Sequence, residues 1–395
     1  MKILVRDFIR KESSSGVILV FVTLLAIIIK NSPLSSFYNE ILYLSVEFQF
    51  GEFLHIKKPF MLWINDGLMT IFFLLIGLEI KREVIIGHLS TWSRLALPGF
   101  AALGGMIFPA LIFVFFNIGD DFALRGWAIP IATDIAFALG VLSLLGKSVP
   151  VALKIFLMAL AIIDDIGAIL IIAIFYTSDI SFVALGFILL FILTLLLMNK
   201  LNVTKITAYL LVGVLLWIAV LESGVHATLA GIILAFTIPL NVKNDHSKHT
   251  SPAKILQKNL HFWVAYFILP IFAFVNAGID LSGLSFESLS QPVSLGIMSG
   301  LFFGKQIGVM LFTYIAVYFK FALLPKCTTW DQIYGVSLLT GIGFTMSFFI
   351  NTLAYSNTDL FMYSDRMSIL IGSLISGILG YLVLRRAKKK KFCSV

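Results

Sequence analysis

Twelve long, almost uninterrupted apolar runs dominate this chain, and they leave it few ways to fold. They cover 13–30, 59–80, 95–116, 126–145, 150–176, 180–199, 205–221, 225–240, 260–278, 292–318, 330–355 and 367–384. An apolar run of about 20 residues is one α-helix across a bilayer. No single water-soluble core grows large enough to hide twelve of them. Hydrophobic residues fill 59% of the 395 positions and charged residues only 13%, against roughly 25% charged in soluble domains. A soluble enzyme, a disordered chain and a disulfide scaffold are thereby excluded. The chain reads as an all-α polytopic membrane protein of about twelve transmembrane helices, one integral-membrane domain over 1–395.

The placement of charge tests this reading. The net charge of +8 could suggest a nucleic-acid partner, but the cations cluster. Lys2, Arg6, Arg10 and Lys11 crowd the start, and Arg385, Arg386, Lys388, Lys389, Lys390 and Lys391 form a basic tail over 385–395. In a membrane protein such clusters keep the ends cytoplasmic and meet anionic lipid head groups. With both termini inside, only Lys30, Lys57, Lys58, Arg125 and Arg366 fall outside, and Lys305 falls within the membrane. That bias supports the orientation and argues against nucleic acid. Cys327 and Cys393 both lie in basic, cytoplasmic segments, so no disulfide is implied. The first apolar run lacks a cleavage site and reads as a retained helix.

One outer loop has a different period. Residues 45–58, SVEFQFGEFLHIKK, alternate apolar and polar on either side of Gly51-Glu52, which predicts a short β-hairpin. Its exposed edge would be available to pair with a second copy, giving a homodimer.

Four ionisable residues lie deep inside apolar runs: Asp134, Asp164, Asp165 and Lys305. Each costs roughly 2.5–3.5 kcal/mol at the bilayer centre on insertion scales. A structural ion pair with Lys305 would account for one aspartate and leave two. Carboxylates facing a water-filled cavity instead suit a proton relay or a cation site. Asp164 and Asp165 point about 100° apart on a helix, so one can line a cavity while the other meets a neighbouring helix. Deprotonated, they offer hard oxygens to Na⁺, and a proton competes for the same oxygens. Such competition is the minimum needed for exchange.

Two runs make poor helices at mid-membrane. Pro130 removes a backbone donor just before Ala132-Thr133-Asp134, and Thr340-Gly341-Ile342-Gly343-Phe344-Thr345 places two glycines and two hydroxyls at similar depth. These predict two interrupted helices in corresponding positions of an inverted repeat, runs 3–5 against 10–12. Broken ends leave partial charges, positive at N-termini and negative at C-termini. Asp134 and Lys305 have the signs to neutralise one set each.

Together these segments identify a resemblance. IATDIAFALGVLSLLG (131–146), ALAIIDDIGAI (159–169), ESGVHATLAGII (222–233), FVNAG (274–278), TGIGFTMSFF (340–349), NDGLMTIFFLLIGLEIKRE (65–83) and Gly304-Lys305 resemble, in order, the signature stretches of NhaA-type sodium/proton antiporters. The resemblance implies a fold already known in that family, with inverted repeats, two interrupted crossing helices and a cytoplasmic funnel to the ion site. It implies that Asp165 is the principal sodium ligand and that Asp164 pairs with Lys305 and takes part in proton exchange. Thr133 and Asp134 then belong to the broken helix beside the cation. It further implies electrogenic exchange of internal Na⁺ or Li⁺ for external protons in a bacterial inner membrane, activation at alkaline pH, no cofactor, and a dimer through the outer hairpin.

The same resemblance points to Glu79, Lys81, Arg82 and Glu83 as a cytoplasmic charged cluster concerned with pH, with Lys254 and His261 in PAKILQKNLHFW (252–263) and with His226 as a second pH-responsive residue. Here the chain departs from the family pattern. Gln257 stands where an acidic residue is expected, and Ile255 and Lys258 stand at neighbouring basic positions. A solvated helix end held by i,i+3 and i,i+4 pairs is the plainer reading of 79–83, as is a packed histidine for His226. Among other functions, an intramembrane aspartyl protease lacks its GxGD stretch and a prenyltransferase its DDxxD. A cation channel or a sodium-coupled symporter could share the fold, since function resides in the site.

Overall fold

The computed structural model describes residues 2–50, 54–87, 89–146, 149–177, 181–240, 242–243, 249–282, 284–355, 361 and 363–387. Helix α1 (Lys2–Lys30) is followed by α2 (Ser35–Tyr43) and by the antiparallel strands β1 (Ser45–Phe50) and β2 (Leu54–Pro59). Then come α3 (Phe60–Ile86), α4 (Trp92–Phe116), the single turn α5 (Asp121–Leu124), a 3₁₀ stretch Arg125–Ile131, α6 (Ile135–Leu144) and α7 (Val151–Phe175). The chain continues through α8 (Phe182–Lys200), α9 (Ile206–Leu221), α10 (Leu229–Thr237), α11 (Pro252–Trp263) and α12 (Leu269–Asn276). It ends with α13 (Phe286–Leu289), α14 (Pro292–Ser299), α15 (Lys305–Tyr318), α16 (Trp330–Leu339), α17 (Phe344–Ala354) and α18 (Ser364–Arg386). Two π-helical turns, Val264–Ile268 and Gly300–Gly304, join α11 to α12 and α14 to α15.

The helices follow the apolar runs closely. The run 95–116 becomes Trp92–Phe116, 150–176 becomes Val151–Phe175, and 205–221 becomes Ile206–Leu221. Among the described residues seven helices are long and apolar enough to cross a membrane, and ten spans result if three bent pairs each count as one. The protein is a multi-pass membrane protein. Runs 205–221 and 225–240 appear as the shorter α9 and α10. Both predicted interruptions are present, at 132–134 and at 340–343, with bends of 41° and 43°.

The hairpin also forms. Its register pairs Glu47 with Lys57 and Phe48 with Ile56, and Lys57 Nζ lies 3.8 Å from Glu47 Oε2 across the strands. The Trp63 indole donates to the Val46 carbonyl at 3.2 Å, fastening β1 to α3. The Gly51-Glu52 tip lies outside the described residues, as do positions 388–395 of the basic tail. One cysteine expectation is corrected: Cys327 is disulfide-bonded. Compartment and charge alone do not report which thiols come within bonding distance, and Cys393 lies outside the described residues.

The contacts divide the chain into two units, each discontinuous in sequence. One comprises Met1–Ile27, His88–Ala168 and Asn276–Val395. Its tightest packing sets α4 against α15, where a Cβ on Gly104 would fall 2.1 Å from the Gly308 carbonyl oxygen and one on Gly308 2.0 Å from that of Gly104. Small residues permit such backbone approach in membranes, where hydrophobicity no longer drives helices together. Gly300 and Gly304 likewise let the π-turn approach Pro130 and Pro109, where a Cβ would fall 2.7 and 2.6 Å from proline carbons. The other unit comprises Ile28–Gly87 and Ile169–Val275. Its core gathers Leu74 and Leu78 of α3 with Leu195, Tyr209, Leu216, Leu234 and Ile238. A Cβ on Gly231 would meet the Thr70 carbonyl oxygen at 2.2 Å, so α10 lies hard against α3. Tyr38, Leu42, Met61 and Val275 form a smaller core, with the Tyr38 hydroxyl donating to the Phe274 carbonyl at 2.5 Å.

Candidate functional site

All four intramembrane charges belong to the first unit and are at most 2% exposed. The two helix breaks bring them together. At the first, Ala132 to Asp134 leave helical geometry and Asp134 becomes the N-cap of α6, accepting from the Phe137 N–H at 2.9 Å. Its second oxygen accepts from the Thr345 N–H at 3.1 Å and from the Thr345 hydroxyl. Asp134 therefore caps two helices, its own α6 and the α17 that follows the other break. Helix N-termini carry roughly half a positive charge each, and a carboxylate between two of them suits both.

The negative ends meet different partners. The Asp134 N–H donates to the Ile342 carbonyl at 2.7 Å, and the Thr133 hydroxyl lies 2.9 Å from the Thr340 carbonyl oxygen. Ser373 of α18 accepts from the Gly343 and Phe344 N–H groups at 3.2 and 3.1 Å. The Ser347 hydroxyl ties α17 to the Ile129 carbonyl at 2.8 Å. The expectation that Lys305 neutralises a set of broken helix ends is corrected here. Backbone and hydroxyl donors from the opposite break are nearer to those carbonyls, because the breaks face one another.

Lys305 goes to a carboxylate instead. Its Nζ donates to Asp164 Oδ2 at 2.6 Å, with both side chains wholly buried. The lysine leaves the π-turn Gly300–Gly304 and crosses Gly105 of α4, where even a Cβ would stand 3.8 Å from Nζ. A π-turn shifts the side chains after it relative to a regular helix, and such turns recur at functional sites. The Thr133 hydroxyl is 2.7 Å from the same Asp164 oxygen. Its single proton can serve that oxygen or the Thr340 carbonyl. Asp164 Oδ1 is buried without a hydrogen-bond partner among the described residues. Asp165, one residue on and about 100° round α7, is 1% exposed. Three carboxylates, one ammonium and the hydroxyls of Thr133 and Thr345 thus share one buried region. Such oxygens suit a small hard cation.

The residues assigned to pH response lie in the second unit and only partly converge. The Arg82 guanidinium grips its neighbour Glu83 at 2.7 Å and donates to Gln257 Oε1 at 3.2 Å. The Gln257 amide in turn donates to Glu79 at 3.4 Å. Gln257 therefore joins the end of α3 to α11 as a neutral bridge, in place of the expected carboxylate. Lys254, though on α11, is exposed, and the hydrogen bonds and ion pair of this group run through Gln257 instead. Lys81 turns away to donate to the Phe236 and Ile238 carbonyls, both at 2.6 Å, closing the C-terminus of α10. His226 is remote from all of these. Its Nδ1 is 2.8 Å from the Thr228 hydroxyl and its Nε2 4.0 Å from Asp66, which also holds Lys58 of β2 at 3.0 Å.

Several members of the site escaped sequence reasoning. Ser373 looked like one small residue in a glycine-rich span, and nothing near it signals a helix cap. Gly104 and Gly308 lie in runs with many small residues, and only their mutual contact distinguishes them. Thr345 was legible as a mid-membrane hydroxyl, but its tie to Asp134 joins residues 211 positions apart.

Comparison with known proteins identifies the family. The family described as Na+/H+ antiporter 1 matches residues 6–384. The Na(+)/H(+) antiporter NhaA of a Sulfurovum species is 56% identical over 386 residues, 98% of each chain. Those of Campylobacter curvus and of a Nitratiruptor species are 53% and 54% identical, each over 98% of this chain and 96% or 99% of their own. Nearly full-length similarity at this level establishes that the chain belongs to the NhaA Na+/H+ antiporter family, and that it is a transporter rather than an enzyme.

Proposed function

We propose that this protein exports Na⁺, and Li⁺ as a close chemical substitute, in electrogenic exchange for external protons, driven by the proton gradient. The carrying observation is the convergence of Asp134, Asp164, Asp165 and Lys305 where two helices break. Family membership supports sodium and protons as the exchanged ions. In this reading Asp165 and Asp164 supply the sodium-binding oxygens, with Thr133 beside them. Asp134 balances the broken helix ends and keeps both half-helices in place. The Lys305–Asp164 pair makes proton transfer part of the cycle. A cation that approaches Asp164 competes with the ammonium for Oδ2, so binding of Na⁺ and loss of a proton from the pair are linked. The protons belong to the coupled set rather than to any single residue.

The ions take turns by alternating access. Deprotonation toward the cytoplasm admits Na⁺, the loaded site turns outward, and external protons displace the cation. We read the chain as one transporter domain of twelve crossings, counting α9 and α10 as spans and pairing runs 3–5 with 10–12 as an inverted repeat. Both termini are cytoplasmic, in a bacterial inner membrane, with the basic ends against anionic lipid. The exposed edge of the β1–β2 hairpin suits a homodimer. The Glu79, Arg82 and Glu83 group and His226 are the seats of pH response, with Lys254 at its exposed margin.

Inside-out vesicles carrying an imposed pH gradient provide the test. Adding NaCl or LiCl should dissipate the gradient, whereas KCl should not, and Asp165→Asn should be silent. A fully active Asp165→Asn protein would remove the centre of this reading. Sodium passing down its gradient without moving protons would mark a channel.

A further inference from the structure

We infer that Gln306 and Tyr334 form a positioning strut for Lys305, setting how strongly its ammonium competes with sodium for Asp164. The inference rests on the sodium/proton exchange proposed above. Gln306 follows Lys305 directly, and both are buried at the start of α15. One residue turns the helix by about 100°, so Lys305 reaches Asp164 of α7 while the Gln306 amide meets other partners. Its Nε2 donates to the Phe302 carbonyl, inside the π-turn, at 2.9 Å. Its Oε1 accepts from the Tyr334 hydroxyl of α16, also at 2.9 Å. The amide is thus held from both ends, and the backbone that carries it is the backbone that carries Lys305.

The place of this tie gives it a function. A π-turn holds one residue more than a regular α-helical turn, and here the Lys305 N–H donates five residues back, to the Gly300 carbonyl. Reversion to α-helix would turn Lys305 away from its present direction. The side-chain donor on the Phe302 carbonyl supports the disturbed ladder from outside and keeps the turn in this form. Tyr334 belongs to the half-helix that ends at the second break, where the Thr133 hydroxyl faces the Thr340 carbonyl. Thr133 and Lys305 meet the same oxygen of Asp164. The π-turn also lies against that break, since a Cβ on Gly341 would fall 2.4 Å from the Leu301 carbonyl oxygen. Through Gln306, Tyr334 therefore joins the two elements that converge on Asp164 Oδ2. Cutting the tie lets Lys305 leave that oxygen more readily, and sodium gains what the ammonium gives up.

The test uses the full-length protein in proteoliposomes at one fixed alkaline pH, with half-saturating Na⁺ and maximal rate measured separately. Gln306→Met, close in length but without hydrogen bonds, should lower the half-saturating Na⁺ concentration about two- to tenfold, the span of one net hydrogen bond. Tyr334→Phe should lower it about twofold, since the bond to Phe302 survives. The double variant should match Gln306→Met alone, because the hydroxyl has already lost its acceptor. A role in packing alone would lower the yield or the maximal rate and leave half-saturation as in wild type, and that result overturns the inference. So does a rise in half-saturation, or full additivity of the two substitutions. If Gln306→Met folds poorly, equilibrium Na⁺ binding by solubilised Tyr334→Phe decides: tighter binding supports the strut and wild-type binding overturns it. Absence of sodium-dependent exchange in the wild type would instead remove the function on which it rests.

Discussion

Replacing Asp134 by alanine should destabilise the protein more than replacing it by asparagine, because this one carboxylate closes two helices. Alanine leaves the part-buried Phe137 N–H and the buried Thr345 N–H without this acceptor, at about 1–3 kcal/mol each. It also removes the negative charge from two positive helix ends, worth up to about 2 kcal/mol apiece in partly buried sites. These overlap, since the same hydrogen bonds carry both effects, and removing a buried charge recovers some desolvation. A net loss of about 3 kcal/mol is the reasonable sum for Asp134→Ala. Asparagine keeps one acceptor oxygen and should lose about 1 kcal/mol. Thermal unfolding of the purified protein in detergent, followed by intrinsic tryptophan fluorescence, should rank wild type above Asp134→Asn above Asp134→Ala. Thr345→Val removes the hydroxyl donor and should cost about 1 kcal/mol alone but almost nothing on top of Asp134→Ala, because the partner is already gone. An alanine variant that melts like wild type, or full additivity with Thr345→Val, would refute the double cap.

Three further outcomes follow from the same contacts. Lys305→Ala strands the wholly buried Asp164 carboxylate and should cost about 3–5 kcal/mol, with the pH profile of exchange lost or displaced; an unchanged melting temperature would count against the pair. Gly308→Leu should prevent α4 and α15 from closing, since even a Cβ would stand 2.0 Å from a backbone oxygen, and overpacking of this kind costs about 1–3 kcal/mol or more. Its measure is the yield and melting temperature of the purified protein against Gly99→Leu, where a Cβ meets nothing within 4 Å. Gln257→Leu breaks the bridge between Arg82 and Glu79 and should lower stability by about 1 kcal/mol, while sodium binding by the solubilised protein, measured calorimetrically, stays as in wild type.

Asp164, Asp165, Asp134 and Lys305 were recognisable from the chain alone because a charge in hydrocarbon is conspicuous against a uniform background. The same background concealed the packing. A soluble helix declares its buried face by periodicity, but in a bilayer both faces are apolar. Nothing local therefore separated Gly104 and Gly308, which touch, from Gly99, which has open space beside it. The π-turn before Lys305 was likewise illegible, since Gly300–Gly304 reads as an ordinary apolar stretch within one long run.

The linear order of residues determined where the membrane is crossed, where the helices fail and which side chains carry charge. Each of these depends on composition over a few turns: about 20 apolar residues span a bilayer, and the two breaks fall where a proline or paired glycines stand beside threonine or aspartate, whereas Pro98, Pro109 and Gly104-Gly105 in a wholly apolar stretch leave α4 unbroken. Partnership was decided by tertiary structure. That Asp134 caps α17 as well as α6, that Lys305 meets Asp164 rather than a helix end, and that Gln257 rather than Lys254 joins the α3 cluster all depend on contacts between residues more than 100 positions apart. Hydrogen bonds act over about 3 Å, so which donor reaches which acceptor is settled only when the helices have packed.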